Sequence, residues 1–200
     1  MYIDILTSNK KFDIIYTDPP WPISKTLRYT RPKQKINLDY PTMTLPEIKK
    51  LHSQILNRNT NKSHNVFMWC VESMLTKVEL MMQELGYKLH IRFIWDKQNG
   101  IAPAFTVRFS HEYLLWFYKP GLIIRPCRNT QGKYTTVIRE PSREHSRKPE
   151  YVYDMLEDMF AGCEFIELFA RRPRDNWYCW GDETEKLHQN TQIKLFRKGE

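Results

Sequence analysis

"FDIIYTDPPWP", residues 12–22, sets the terms for the whole chain. Its first half, FDIIYT, is short, apolar and rich in β-branched and aromatic residues, the composition of a buried strand. The second half cannot continue that strand. Asp18 is a carboxylate, Pro19 and Pro20 have a fixed φ and no N–H to donate, and Trp21 is the largest aromatic side chain. A strand that stops on a rigid turn rich in acceptors puts Asp18 at a carboxyl edge, where doubly wound sheets bind their ligands.

Working outward, the same strand composition recurs at 65–70 (NVFMWC), 89–95 (LHIRFIW), 113–118 (YLLWFY), 163–169 (CEFIELF) and 177–180 (WYCW). Between them lie helix signals. Thr44 and Glu47 form a capping box ahead of LPEIKKLHSQIL. Val71, Leu75, Val78, Met82 and Leu85 mark one helical face that stops at Gly86. A third helix opens at Pro149, with Val152, Met155, Leu156, Met159 and Phe160 facing inward. Apolar strands alternating with amphipathic helices predict an α/β fold with a mainly parallel sheet covered on both faces.

The 200 residues, 41% of them hydrophobic, suit a single domain spanning 1–200. A formal charge of +8 with 14% aromatic residues suits a polyanion whose bases can stack, although a solvated basic face has the same charge. Cys70, Cys127, Cys163 and Cys179 are far apart, with no zinc spacing, so no metal is expected and a reducing, cytoplasmic compartment is. The beginning of the chain lacks a leader pattern and no stretch reaches membrane-spanning length. Lone histidines such as His90 and His188 read as ordinary surface or core residues.

Three stretches are basic. Residues 24–35 hold five Lys/Arg and no acid, and residues 119–148 hold eight Lys/Arg against Glu140 and Glu144. The third is RRPR at 171–174, directly after a late strand, where a cofactor or phosphate contact is expected. From the first two, Lys25, Arg28, Arg31, Lys33, Arg125, Arg128 and Lys133 are the candidates to grip a nucleic-acid backbone through salt-sensitive phosphate contacts.

The chemistry of DPPW fits an aromatic amine. The exocyclic nitrogen of adenine is a poor nucleophile because its lone pair is delocalised into the ring. Hydrogen bonds from its two N–H groups to the Asp18 carboxylate and the Pro19 carbonyl favour a pyramidal nitrogen and stabilise the positive charge that develops on it. Trp21 offers a face for a flipped base to stack on. An Asp-Pro-Pro turn with a packing Trp is the plain structural alternative.

A second cluster lies late in the chain: Ser146, Lys148 and Pro149, then Glu167-Leu168-Phe169-Ala170-Arg171, then Gly181-Asp182-Glu183. With DPPW it resembles the adenine-N6 methyltransferase family typified by the catalytic subunit of the eukaryotic mRNA adenosine methyltransferase, which has bacterial and phage relatives. The family's marks are an early DPPW and a late S-x-K-P plus E-L-F-[AG]-R. The resemblance implies a Rossmann-like S-adenosylmethionine-dependent methyltransferase fold, circularly permuted so that the catalytic motif precedes the cofactor-binding one. It implies that Asp18, Pro19, Pro20 and Trp21 are catalytic. It implies cofactor contacts from Asp4 and Ile5 to the adenine, from Lys148 with Ser146 to the methionine carboxylate, and from Glu167, Phe169 and Arg171 on the nucleoside side. Asp182 and Glu183 stand where the family carries Asn-Gln near the ribose, and the glycine-rich loop of many methyltransferases is replaced by Ala170-Arg171-Arg172.

The expected activity is methylation of adenine N6 in DNA, favoured over RNA because no appended RNA-binding module is seen. A homodimer or a heteromeric partner is compatible with so small a domain, and no membrane partner is expected. RNA methylation and a non-catalytic nucleic-acid-binding subunit on the same scaffold are the alternatives. A glutamine or small-molecule methyltransferase fits less well, because those commonly carry Asn in place of Asp18.

Overall fold

The computed structural model describes residues 1–22, 42–98, 110–143 and 147–189. Within them the order is β1 Phe12–Thr17, α1 Leu45–Arg58, β2 Thr60–Cys70, α2 Leu75–Glu84, β3 Lys88–Asp96, β4 His111–Tyr118, β5 Val137–Arg139, α3 Glu150–Met159, β6 Phe165–Leu168 and β7 Trp177–Trp180. A further short helix covers 182–189. Among the described residues the strands form one seven-stranded sheet in the order β5-β3-β4-β2-β1-β6-β7.

Local chemistry explains the helices. The Thr44 hydroxyl accepts from the Glu47 N–H and the Glu47 carboxylate accepts from the Thr44 N–H, so the expected capping box starts α1, an arrangement that stabilises a helix by about 1 kcal/mol. A 3-10 turn at Glu72–Met74 leads into α2, and Gly86 at φ 84° lets the chain turn after it. Pro149 caps α3 as anticipated.

Side chains alternate across the strands and divide the core in two. Ile15, Val66 and Met68 join Ile48, Ile55, Val78 and Met82 of α1 and α2 on one face. Ile14, Tyr16, Phe67 and Trp69 join Val152, Met155, Leu156 and Met159 of α3 on the other. Both faces are covered, as expected of strands without a polar side.

The sheet is mixed. β1 pairs in parallel with β2 and β6, and β6 with β7, whereas β4 runs antiparallel to both β2 and β3. A mainly parallel sheet was the right expectation except for β4, because a strand buried on both faces has the same composition in either direction. The three-residue β5 escaped the sequence reading because it is an edge strand with Val137 and Arg139 exposed. From β1 the chain crosses through α1 to β2 on one side, and it returns through α3 to β6 on the other. That reversal opens a crevice beyond the carboxyl ends of β1 and β6.

Candidate active site

The crevice holds a cavity of about 410 Å³, and the residues around it come from strand ends. Asp18, Pro19, Pro20 and Trp21 follow β1, Cys70 and Val71 close β2, and Phe169, Ala170 and Arg171 follow β6. Gly181, Asp182 and Glu183 follow β7, while Glu112 opens β4 and Lys148 precedes α3. The antiparallel direction of β4 is what brings Glu112 here. A parallel strand would put its first residues at the opposite end of the sheet.

The DPPW turn is fixed from three sides. Thr17, the last residue of β1, has its hydroxyl 3.1 Å from Nε2 of His52. Nδ1 of His52 lies 2.8 Å from the Ile48 carbonyl. A carbonyl only accepts, so Nδ1 carries the proton and Nε2 accepts from Thr17. Burial lowers the His52 pKa to about 4, so the ring is neutral at physiological pH. The Pro19 carbonyl accepts from the Trp21 N–H at 2.9 Å and the Pro20 carbonyl from the Met43 N–H at 2.9 Å. Each carbonyl keeps a second lone pair. Trp21 is 4% exposed and its indole N–H donates to the Trp69 carbonyl at 3.0 Å, so its ring is locked against the cavity.

Charges alternate through the site. Lys148 Nζ lies 3.1 Å from Asp18 Oδ2 and 2.8 Å from Glu112 Oε2, and 5.1 Å from the centre of the Trp69 ring. Lys97 Nζ takes the other Glu112 oxygen at 2.5 Å. Burial pulls the Lys148 ammonium down, but Asp18 and Glu112 outweigh it and hold the pKa well above the usual lysine value. For Asp18 burial is the largest cause and raises the carboxyl above its ordinary value; Lys148 pulls it back and Glu112 pushes it up again. Burial also pushes Glu112 up, yet Lys148 and Lys97 together leave it below the ordinary range. The arrangement is a buried cation shared by two carboxylates, and Asp18, Glu112 and Lys148 all line the cavity.

The β6 and β7 side carries backbone constraint. Phe169 adopts φ 60°, rare for a residue with a side chain. Its ring lies 5.6 Å from that of Trp180. A Cβ at Gly181 would sit 2.6 Å from the Ala170 carbonyl oxygen, so only glycine allows the two strand ends to approach this closely. Asp182, Glu183 and Lys186 stand on the short helix that follows, with Arg171 Nε 3.9 Å from Glu183 Oε1. Two aromatic rings, a cation and two carboxylates beside a crevice of this volume fit the adenine, ribose and amino-acid parts of an adenosyl cofactor.

Several expected site residues lie elsewhere. Asp4 is exposed and closes its own turn by accepting from the Leu6 N–H and the Thr7 hydroxyl, and Ile5 is fully buried in the core; neither lines the cavity. Glu167 also stays off the cavity: the Tyr153 hydroxyl donates to it at 2.9 Å, and burial raises its carboxyl to about 7. Of RRPR, Arg171 borders the cavity, but Arg174 turns back onto α3, where it meets Glu150, Asp154 and Glu157 at 2.9, 2.7 and 2.8 Å. Ile124, beside Arg125, exchanges hydrogen bonds with Asn65, which pairs with Ile14 in the first half of β1. Cys127, beside Arg128, donates to the Met159 carbonyl at the end of α3, and Lys133 pairs with Asp158 there. Arg125, Arg128 and Lys133 therefore sit at the end of the sheet away from Asp18. Lys25, Arg28, Arg31, Lys33 and Ser146 lie outside the described residues.

Glu112, which the sequence shows beside His111 at a strand start, and Lys97 were not among the expected site residues. Their one sequence signal is a carboxylate opening an otherwise apolar buried strand, which has to find a cation.

The chain is similar to known proteins over most of its length. It is 28% identical over 191 residues to the Type II methyltransferase M.MunI of Mycoplasma sp, covering 87% of this chain and 78% of that protein. It is 26% identical over 196 residues to the N(6)-adenosine-methyltransferase catalytic subunit METTL3 of Homo sapiens, covering 94% of this chain but 30% of that subunit. The MT-A70-like N(6)-adenosine-methyltransferase protein of Drosophila melanogaster is 26% identical over 186 residues, 88% of this chain and 28% of its own length. The profile of one family matches residues 12–183, from the first residue of β1 to the carboxylate pair after β7, and the chain belongs to that family, the MT-A70 adenine-N6 methyltransferases.

Proposed function

We propose that this protein methylates the exocyclic N6 of adenine in DNA, with S-adenosylmethionine as donor. The observation that carries the reading is Asp18, held by Lys148 at 3.1 Å through Oδ2 and lining the cavity beside Pro19, Pro20 and Trp21. S-adenosylmethionine supplies an electrophilic methyl group when bound. Of the lining residues, Asp182 and Glu183 would accept from ribose hydroxyls, Phe169 and Trp180 would enclose an adenine ring, and Arg171 would lie on the nucleoside side. Among the described residues Lys148 pairs with Asp18 and Glu112, and a third N–H would serve the carboxylate of the cofactor.

On the substrate side, the Asp18 carboxylate and the second lone pair of the Pro19 carbonyl accept the two N–H groups of a flipped adenine. Those bonds draw the nitrogen toward a pyramidal geometry and stabilise positive charge on it. Trp21, immobilised through its indole N–H, walls the base. The raised Asp18 carboxyl is a more basic acceptor than an exposed one.

DNA is favoured over RNA because the chain matches 78% of the Type II methyltransferase but only 30% of the human subunit. RNA is the second reading, since the similarity to that N(6)-adenosine-methyltransferase subunit covers 94% of this chain. A partner chain, identical or different, belongs to both readings, as does a cytoplasmic setting in which the four cysteines stay unbridged.

The test is transfer of labelled methyl to duplex DNA, single-stranded DNA and RNA, followed by digestion to nucleosides. N6-methyldeoxyadenosine is the product expected. N6-methyladenosine from RNA alone would select the second reading. Failure to bind the cofactor at all would convert the protein into a non-catalytic scaffold.

A further inference from the structure

The alternating charges do not end at the cavity wall. Asp18, Lys148, Glu112 and Lys97 come from the ends of four different segments, and three ion pairs of 3.1, 2.8 and 2.5 Å link them in that order. Lys148, Glu112 and Lys97 are each about a tenth exposed at the side chain, so these charges act through a medium that screens poorly. Taken without Lys97, one lysine serves two buried carboxylates and the group carries a net negative charge. Glu112 would then compete with Asp18 for Lys148.

Lys97 removes that competition. Its ammonium occupies Oε1 of Glu112, leaving Oε2 for Lys148. Its backbone is held by the Lys97 N–H to the Ser110 carbonyl at 2.9 Å and by the Ser142 N–H to the Lys97 carbonyl at 3.1 Å. The ammonium lies 5.2 Å from the centre of the Trp95 ring, which further restricts it. Lys97 does not border the cavity, so any influence on a bound base passes through Glu112.

We propose that Lys97 is a positioning residue for methyl transfer: by taking one oxygen of Glu112 it keeps the other on Lys148, and so keeps Lys148 against Asp18. The inference rests on the methyltransferase reading above. Glu112 is faced by Lys97 at the end of β3, Lys148 ahead of α3, Asp18 after β1 and Cys70 at the end of β2.

The test compares Lys97→Met, Lys97→Arg, Glu112→Gln and the Lys97→Met/Glu112→Gln double variant. Methyl-transfer rate is followed against pH, cofactor affinity by calorimetry, and the Asp18 and Glu112 carboxyls by carbon-13 NMR titration. Lys97→Met should lower kcat by about tenfold or more, as a displaced catalytic group does, with a smaller, roughly few-fold, loss of cofactor affinity through the shifted Lys148 ammonium. Losing a positive charge disfavours the ionised carboxylates, so the Glu112 titration and the acid limb of kcat should both move to higher pH. Lys97→Arg should restore most of the rate. On the Glu112→Gln background Lys97→Met should add nothing further. Wild-type kcat with an unshifted Glu112 titration would overturn the proposal, as would an equal loss on both backgrounds, the signature of a merely structural role. An inactive wild-type protein whose Glu112 still shifts in Lys97→Met would instead overturn the methyl-transfer reading and leave the ion chain standing.

Discussion

Two clusters of paired charges meet α3, one of lysines and carboxylates just ahead of it and one of an arginine and carboxylates along it. In one, Lys97 and Lys148 alternate with Glu112 and Asp18 beside the cavity. In the other, Arg174 reaches Glu150, Asp154 and Glu157, which line one stripe of α3 at helical spacing. Its guanidinium also lies 4.8 Å from the centre of the Tyr153 ring, and Glu157 accepts from the Trp177 indole at 2.7 Å. The second cluster tethers the loop between β6 and β7 to the outside of α3, and none of its four residues lines the cavity. In the first, Asp18, Glu112 and Lys148 all line it. A charge network becomes a site where its acceptors border a cavity; on an exposed helix face it is a staple.

That contrast breaks most visibly at Lys148. Lys148→Met leaves Asp18, a quarter exposed, without its cation and Glu112 with Lys97 alone, and the loss is expected toward the lower end of the about 3–5 kcal/mol that breaking a buried pair costs. Methyl transfer should be lost, and thermal or denaturant unfolding should register the destabilisation. A variant as stable and active as the parent would mean that the pairs are incidental.

Glu167 separates the buried acid that lines the site from the one that does not. Burial raises its carboxyl to about 7 from an ordinary 4.5. Below pH 4.5 both folded and unfolded chains hold the proton. Between 4.5 and 7 only the unfolded chain releases it, so stability falls as pH rises, and above 7 the loss is complete. Glu167→Gln should flatten this fall, gaining up to about 3 kcal/mol over the parent at pH 8. Chemical denaturation at pH 5 and pH 8 measures it. Parallel pH dependences in the two proteins would rule Glu167 out as the source.

The smallest effect is expected in the staple. Arg174 is a quarter exposed, with partners more open still, so Arg174→Met should cost about 1–2 kcal/mol. The kcat should stay within about twofold of the parent, as for a residue remote from the reacting groups. A large fall in kcat without loss of stability would move Arg174 into the site.

What the sequence discloses follows from how local each feature is. DPPW after FDIIYT, the Thr44/Glu47 capping box and Gly86 are read within a few residues, and all three stand where they were expected. Glu112 depends on β4 running against its neighbours, and nothing in an apolar strand encodes its direction; Lys97, at the carboxyl end of β3, joins the site only through Glu112. Arg171 and Arg174 are three residues apart in one basic loop. Only the return of that loop across α3 sends one to the cavity and the other to the helix. Arg125, Arg128 and Lys133 counted as candidate contacts by charge alone, but charge carries no information about which end of a sheet a loop occupies.

Asp18 is central to the proposed chemistry, and the most direct measurement is methyl transfer and cofactor affinity in Asp18→Asn. The substitution keeps the size of the side chain and removes the charge that Lys148 and the amine would share. The kcat should fall by about a hundredfold or more, as for loss of a preorganised electrostatic partner, with cofactor affinity changed by no more than a few-fold. Methyl transfer at the parent rate in Asp18→Asn would contradict that role.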